Sequence, residues 1–138
     1  MTGQRHLVDR VGVQCIVRDG DRILLGRRHA VFGHGSWGLP GGHLERGETI
    51  TGAALRELEE ETSLVGSSAE IVAVADATRE NNFHVQFGCL VAAWTGTPRN
   101  VNPAACSELG FFAPGELPAP LFVSSAPLIE RFRRGVLY

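Results

Sequence analysis

The chain has 138 residues, of which 43% are hydrophobic and 20% are charged, and its formal net charge is -2. A chain of this size buries about two-thirds of its unfolded surface, so we expect one globular domain over residues 1–138 that needs no disulfide or metal to fold. The sequence pI near 6.2 excludes a protein built to hold a nucleic-acid polymer or an anionic membrane by bulk charge. A local site for a small anion stays open.

The cysteines and the N-terminus predict the cellular environment. Cys15 and Cys89 lie in apolar runs and are expected to be buried thiols, whereas Cys106 lies in a polar loop; no CxxC pair occurs. The first ten residues, MTGQRHLVDR, lack the apolar segment of a secretory signal, and no apolar run approaches the ~18 residues of a membrane-spanning helix. We therefore expect a cytoplasmic protein with reduced cysteines and no membrane partner.

The first half of the sequence predicts a hairpin followed by a loop and a helix. Alternating apolar and polar residues predict strands over Val11–Asp19 and Arg22–Arg28. Glycine and proline then interrupt the pattern, which indicates a loop. A helical pattern follows from Thr51 to Thr62, with Thr49 or Thr51 as the N-cap.

The second half predicts three more strands and a second helix. Apolar runs predict strands over Ala69–Glu80 and Phe83–Trp94, joined by a tight turn of two asparagines, and a short strand over Glu108–Pro114. The segment Phe122–Tyr138 ends in a predicted amphipathic helix. Its inward-facing residues are expected to be Leu128, Ile129 and Phe132. Together these elements predict an α/β (α+β) domain with a mixed sheet and two helices.

The first predicted helix carries an unusual density of glutamate. At about 100° per residue, Glu57, Glu60 and Glu61 fall within one sector of the helix, beside the inward-facing Leu55 and Leu58. Like charges spaced this way destabilise a helix, and partial burial increases the repulsion. Clustered carboxylates suit a hard divalent cation, so the pattern predicts a site for Mg²⁺, with Mn²⁺ as the alternative.

A solvated helix face is the ordinary explanation for such a run of glutamates. That explanation predicts interleaved lysines, and the segment has none. The helix is also preceded by LPGGHLERGE, whose paired glycines would let the backbone come close to a ligand. The combination favours a metal site over a solvated face.

The same segment resembles the signature of the Nudix hydrolases, G-x5-E-x7-R-E-U-x-E-E-x-G-U, in which U is a bulky aliphatic residue. The matching positions are Gly42, Glu48, Arg56, Glu57, Leu58, Glu60, Glu61 and Leu64. Ser63 stands where the family has a glycine that closes the helix in a left-handed conformation. The departure concerns the loop after the helix and leaves the glutamates in place. The flanking sequences also resemble MutT-like members of the family.

The resemblance implies a Nudix-type α/β/α sandwich around a mixed β-sheet. It further implies that Glu57, Glu60 and Glu61 hold the divalent cations, with the backbone carbonyl of Gly41 as a further ligand. Arg56 is then expected to pair with Glu48 and to orient the acidic edge.

The general base is left open between a glutamate of the signature and one outside it. Glu108 and Glu80 are the outside candidates, although a solvated carboxylate is the more ordinary explanation for each.

Further residues are candidates for substrate binding. Arg28 closes the second predicted strand, where MutT-like proteins often place an arginine that binds phosphate. Trp37 and Phe32 flank the glycine-rich loop and are candidates for stacking on a base, with core packing as the alternative. His84, after the predicted turn, is a weaker candidate for contact with a phosphate or ribose.

The resemblance predicts an enzyme that cleaves a nucleoside triphosphate, or another nucleoside diphosphate linked to X, to the monophosphate and pyrophosphate. The alternatives are a nucleotide sugar, ADP-ribose, dihydroneopterin triphosphate or an isoprenyl diphosphate as substrate, and a nucleotide-sensing module without catalysis. The expected partner is a small phosphoanhydride rather than a nucleic-acid polymer. Homodimers are common in the family, so a homodimer is one expected assembly.

Overall fold

The computed structural model describes residues 10–138; the polar N-terminal stretch, residues 1–9, lies outside the described residues. The described part contains nine strands, two α-helices and one short 3-10 helix, Pro114–Glu116. The strands are β1 Val11–Asp19, β2 Arg22–Arg28, β3 Trp37–Gly38, β4 Gly41–His43, β5 Val65–Gly66, β6 Glu70–Ala75, β7 Val85–Val91, β8 Trp94–Thr95 and β9 Cys106–Phe112. The helices are α1 Ile50–Thr62 and α2 Ala126–Arg134.

The strand β1 is the centre of the mixed sheet. It runs parallel to β7 along seven paired residues and antiparallel to its hairpin partner β2. The hairpin pairing is confined to the end of β1, at Arg18 and Asp19. At the other end, from Gly12 to Gln14, the partner of β1 is β4 instead. Strands β2 and β4 therefore diverge from the same edge of β1, and this divergence leaves room for a cleft.

The two faces of the sheet are covered by different helices, because successive residues of β1 point to opposite sides. Val13, Cys15 and Val17 pack in a buried cluster with residues of α1. Ile16 faces the other side and belongs to the cluster that includes residues of α2. The sheet thus lies between two helical layers, which confirms the predicted α/β/α sandwich.

Both helices lie close to their predicted positions. Thr49 is the N-cap of α1, and its hydroxyl accepts a hydrogen bond from the amide of Gly52 at 3.0 Å. On α2, Leu128 and Ile129 are buried and Phe132 packs against the same core cluster, as predicted.

Strands β6 and β7 are shorter than the predictions of Ala69–Glu80 and Phe83–Trp94. Residues 76–84 form a loop in place of a two-residue turn. The buried side chain of Asn81 organises this loop, since it accepts a hydrogen bond from the amide of Thr78 and donates one to the carbonyl of Asp76. The tight-turn prediction was wrong because the asparagine side chain satisfies loop backbone that a longer hairpin would have paired.

The last strand also differs from its prediction. It covers Cys106–Phe112 rather than Glu108–Pro114, because it pairs with β2 from its first residue, with a register shift beside Arg28. Cys15 and Cys89 are buried as predicted, and Cys106 is partly exposed. No helix among residues 10–138 combines the length and the apolar character that crossing a bilayer requires.

The end of α1 explains how the chain accommodates Ser63 in place of glycine. Ser63 adopts the left-handed conformation, with φ of 66°, and its amide donates a hydrogen bond to the carbonyl of Glu59 at 3.0 Å. The serine therefore closes the helix in the geometry that the family signature implies, and it carries the steric strain of a side chain at positive φ.

We expect Ser63→Gly to raise the free energy of unfolding by roughly 0.5–1 kcal/mol, because glycine removes that strain. The greater conformational entropy of glycine in the unfolded chain offsets only part of this stabilisation. Urea denaturation followed by circular dichroism measures the change. Ser68→Gly is the matched control, since Ser68 is exposed nearby and is not among the residues with positive φ. Equal effects of the two substitutions would contradict strain at Ser63.

Candidate active site

The predicted acidic edge is present on α1, and its three glutamates lie at different depths. The side chain of Glu57 is 14% exposed and that of Glu60 is 59% exposed. Glu61 lies one turn beyond Glu57 and is open to solvent through the cleft. The acidic edge therefore extends from the partly buried Glu57 to Glu61 at the mouth of a cavity.

Arg56 binds most of the acidic groups around it. Its guanidinium forms a fork with Glu48, with Nε to Oε2 at 2.6 Å and Nη2 to Oε1 at 2.9 Å. Its Nη1 donates to Glu57 at 2.9 Å and to Glu60 at 3.2 Å. The carbonyl of His43 accepts a further bond from Nη2 at 3.0 Å, which ties the helix to β4. Arg56 and Glu48 are thus joined in the geometry expected of a supporting pair.

These contacts shift the pKa of the groups involved. The hydrogen bonds from Arg56 lower the pKa of Glu48, and the same interaction raises the pKa of Arg56. Glu48 is therefore ionised at neutral pH, and the fork is a permanent ion pair.

The two glycines of β4 allow the backbone of this strand to lie in contact with the glutamates of the acidic edge. The amide of Gly41 donates to Oε1 of Glu61 at 2.8 Å. A Cβ added to Gly42 would overlap the carboxylate of Glu57, so only glycine lets this carboxylate lie against the strand. The paired glycines thus make a close approach between strand and helix, as the sequence indicated.

Glu57 and Glu61 are held in surroundings that oppose their ionisation. Burial raises the pKa of Glu57. Burial raises the pKa of Glu61 to about 7, against the hydrogen bond from Gly41, and the neighbouring Glu57 adds to the increase while Arg28 opposes it. Near neutral pH this carboxyl therefore takes up a proton in the absence of a cation.

The carboxylates do not converge on one point. Among residues 10–138, no three His, Cys, Asp or Glu side chains stand together in a way that could hold a metal ion. Glu57 and Glu60 are turned toward Arg56, and Glu61 is turned toward the amide of Gly41.

The residues nevertheless fit a hard divalent cation. The donor set consists of oxygen atoms, the seat of the Glu57 carboxylate against Gly42 would be filled by any Cβ, and burial raises the pKa of Glu61, with the neighbouring Glu57 adding to the increase. Rotation of the carboxylates about their side-chain torsions would be needed to enclose an ion.

A cavity of about 430 Å³ opens between the diverging strands β2 and β4, with Gly12 and Gln14 of β1 in its lining. Its volume is that of a typical small-molecule site. Glu61 and Arg28 both line it. The cavity therefore joins one end of the acidic edge to a cationic side chain.

Arg28 is held in place by two contacts. Its Nε donates to the carbonyl of Phe32 at 2.7 Å, and its guanidinium lies 3.9 Å from the centre of the Phe122 ring. Burial lowers the pKa of Arg28, and the carboxylate of Glu61 opposes that change. The remaining donors of the guanidinium are available to an anion in the cavity.

The other predicted binding residues divide between the cavity and the core. His84 lines the cavity and stacks on His43, with the ring centres 4.7 Å apart. Phe32 also lines it. Trp37 is not among the lining residues; it packs edge to face on Phe112 and belongs to the core cluster beside α2.

The two outside candidates for the general base are not brought into the cavity. Glu108 is exposed on β9 and lies 3.7 Å from Nη1 of Arg27. Glu80 is exposed in the loop 76–84. Neither residue lines the cavity that contains Glu61.

The sequence analysis missed a set of amide side chains in the cavity. These are Gln14, Asn81, Asn82, Gln86, Asn100 and Asn102. Gln14 and Gln86 are 5% and 7% exposed, respectively, and each lies within a strand. A glutamine inside the apolar run VGVQCIV was the one local signal, because a buried polar side chain requires partners.

Comparison with known proteins agrees with this geometry. The model of the NUDIX domain matches residues 8–132. The crystal structure of a MutT NUDIX hydrolase from Burkholderia pseudomallei is 35% identical in sequence, has a TM-score of 0.82, and is matched over 88% of this chain and 96% of that chain.

Two curated proteins show more partial similarity. An RNA pyrophosphohydrolase of Legionella pneumophila is 39% identical over 71 residues, which are 48% of this chain and 39% of that protein. A putative 8-oxo-dGTP diphosphatase of Bacillus subtilis is 29% identical over 121 residues, which are 87% of this chain and 76% of that protein. The chain thus spans about two-fifths of the length of the RNA pyrophosphohydrolase that it matches.

The domain match covers most of the chain, the solved MutT protein shares its fold from end to end, and the signature glutamates lie on the helix edge beside the cavity. The chain belongs to the Nudix family and is a MutT-like Nudix hydrolase.

Proposed function

We propose that the protein is a divalent-metal-dependent pyrophosphohydrolase that cleaves a nucleoside triphosphate to the monophosphate and pyrophosphate. The observation that carries the proposal is the placement of Glu61 and Arg28 in one cavity, the first with a raised pKa and the second with free donors. A carboxylate edge suits a cation and a guanidinium suits a phosphate, so the pair fits a metal-bound polyphosphate.

Glu57, Glu60 and Glu61, with the carbonyl of Gly41, would hold Mg²⁺, or Mn²⁺ in its place. The bound cation would neutralise phosphate charge and lower the pKa of a coordinated water. Arg56 has a positioning role in this scheme, since it orients Glu57 and Glu60 through hydrogen bonds.

Arg28, which lines the same cavity, would bind the phosphates. Its contacts with Phe32 and Phe122 fix the plane of the guanidinium, so little side-chain freedom is lost when a phosphate binds. A fixed cation near the scissile bond stabilises charge that develops on the leaving group.

The proton of the attacking water is best accepted within the cavity. Glu61 lines the cavity, whereas Glu108 and Glu80 do not, so the structure supports a glutamate of the signature as the general base over the two outside candidates.

The lining of the cavity bears on the choice of substrate. Phe32, Phe122 and Leu109 provide an apolar wall, which keeps an isoprenyl diphosphate as a second candidate. The buried amides of Gln14 and Gln86 favour a nucleotide, because an isoprenyl chain would leave amide groups without partners. Nucleotide sugars, ADP-ribose and dihydroneopterin triphosphate remain in the test panel. The Legionella relative is matched over too little of its length to support the proposal of an RNA substrate for this chain.

The experiment is a panel of these phosphoanhydrides incubated with Mg²⁺, with release of phosphate and pyrophosphate as the readout. We expect the nucleoside triphosphates to be cleaved and EDTA to abolish the reaction. Binding of a nucleotide without cleavage of any compound would support a sensing module instead.

We expect Glu61→Gln and Glu60→Gln each to lower kcat/KM by about 100-fold or more, because each removes a charge that would hold the cation. Steady-state pyrophosphate release measures the effect, and circular dichroism checks that the variants fold. Glu59→Gln is the matched control, since Glu59 is exposed on α1 and makes no ion pair within residues 10–138. Near-normal turnover of a folded Glu60→Gln, Glu61→Gln double variant would refute the assigned roles.

We expect the affinity for Mn²⁺ to fall by up to about tenfold per pH unit as the pH is lowered below 7, and to level off above it. The reason is that burial raises the pKa of Glu61 to about 7 in the metal-free protein, so that a proton competes with the cation below that pH. Calorimetric titration with Mn²⁺ in buffers of different ionisation enthalpy measures both the affinity and the protons released. Glu61→Gln should flatten the dependence between pH 6 and 7, and an unchanged slope would assign the titration to another group.

A further inference from the structure

A buried hydrogen-bonded relay connects the start of α2 to the cavity. The amide of Leu39 donates to Oγ of Ser125 at 3.0 Å. Ser125 Oγ then donates its own hydrogen to Oε1 of Gln14 at 2.6 Å. Gln14 Nε2 donates to the carbonyl of Ser124 at 3.0 Å and to Oε1 of Gln86 at 3.0 Å.

This order of donors and acceptors fixes the orientation of both glutamine amides. The carbonyl of Ser124 can only accept, so the atom of Gln14 beside it must be the nitrogen. One hydrogen of Gln14 Nε2 is therefore donated to the carbonyl of Ser124 and the other to the amide of Gln86. The Gln86 atom that accepts the second hydrogen must be its oxygen, Oε1. The nitrogen of Gln86 is therefore the other end of its amide.

Gln86 Nε2 is left with two N–H donors and no hydrogen-bond acceptor among residues 10–138. The residue is 7% exposed and lines the cavity. Its nitrogen is not among the fully buried side-chain atoms that lack a partner, so these donors are open to the cavity, where a ligand or a water can supply an acceptor.

Gly12 provides the seat on which the Gln86 amide lies. The two residues are directly paired between β1 and β7, and a Cβ on Gly12 would overlap the amide, most closely at Oε1. Both the oxygen and the nitrogen of the Gln86 amide thus lie close over Gly12, but only the oxygen is bonded to Gln14, so the nitrogen is the end whose donors are left for a ligand.

The position of Gln86 relative to the acidic edge suits a nucleobase. His43 of β4, Gly12 of β1 and Gln86 of β7 lie in one row across the sheet. Two strand spacings separate the ends of this row, or about 10 Å. A ribose with its 5′ phosphate bridges a comparable distance, so phosphates held near β4 would place the base near Gln86.

We infer that Gln86 is a specificity-determining residue that donates a hydrogen bond to the keto oxygen at position 6 of a purine or position 4 of a pyrimidine, and that Gln14 is a positioning residue for it. This inference rests on the proposed function for the location of the phosphates. A keto oxygen at that position accepts from Nε2, whereas an exocyclic amine there would set donor against donor. Guanine, hypoxanthine and uracil carry the oxygen at that position, and adenine and cytosine carry the amine.

The test compares kcat/KM for GTP and ITP with that for ATP, in the wild type and in Gln86→Met, which keeps the side-chain length without the donors. We expect the wild type to prefer the keto nucleotides and the variant to lose at least about tenfold of that preference. Asn82→Gly is the matched control, since it removes another cavity amide at a residue with φ of 61° and lies outside the relay. The control should keep the preference.

Two further variants test the positioning role of Gln14. Gln14→Leu removes the group that orients Gln86, and Gly12→Ala displaces the Gln86 amide without altering the hydrogen-bonding groups. Each should lower the ratio of keto to amino turnover. A purely structural role would lower both rates together and leave the ratio unchanged, and that result would overturn the positioning role.

A binding readout separates this inference from the proposed function. Calorimetry with GMP, IMP and AMP, combined with the side-chain amide resonance of Gln86, measures base preference without catalysis. Preference for GMP and IMP with no cleavage of any triphosphate would refute the function and support the inference. Cleavage of GTP and ATP at equal kcat/KM, with no perturbation of the Gln86 resonance, would overturn the inference and leave the function standing.

Discussion

The acidic edge of α1 depends on Arg56, whose guanidinium binds Glu48, Glu57 and Glu60 at once. With Glu45, whose Oε1 lies 3.6 Å from Nη1, four carboxylates share one positive charge, so the group keeps a net negative charge after every ion pair has formed. Glu61 adds to this excess from the mouth of the cavity, where burial already opposes its ionisation. The excess explains why the fold suits a cation: the guanidinium holds the carboxylates in place but cannot neutralise them.

The floor of the cavity depends on two glycines that hold polar side chains against the backbone. Gly42 leaves room for the carboxylate of Glu57, and Gly12 leaves room for the amide of Gln86. A methyl group at either position would displace the side chain that lies on it. The two glycines are on the neighbouring strands β4 and β1, so one part of the sheet supports both the acidic end and the amide end of the cavity.

The sequence predicted those features that depend on neighbours along the chain. The hairpin, helix α1 and its N-cap, expected at Thr49 or Thr51, follow from local pattern and capping chemistry. The relay between Gln14 and Gln86 could not be predicted, because its members are 72 positions apart and meet only through the parallel pairing of β1 with β7. The loop at 76–84 was not predicted for a related reason. Asparagine is common in turns, but the buried side chain of Asn81 forms hydrogen bonds with the backbone of Thr78 and Asp76 within the loop.

The two ends of the cavity would select a ligand by different kinds of interaction. At the acidic end, charge favours any cation-bound polyphosphate. Electrostatic attraction to the phosphates does not distinguish between the groups that the phosphates are attached to. At the amide end, N–H donors of fixed orientation disfavour any ligand group that cannot accept a hydrogen bond from them. Discrimination between ligands there therefore depends on geometry. The relay through Ser125 ties this orientation to the start of α2, a different helix from the one that carries the glutamates. Base preference can therefore change by substitutions on β1, β7 or α2 while the acidic edge of α1 stays the same.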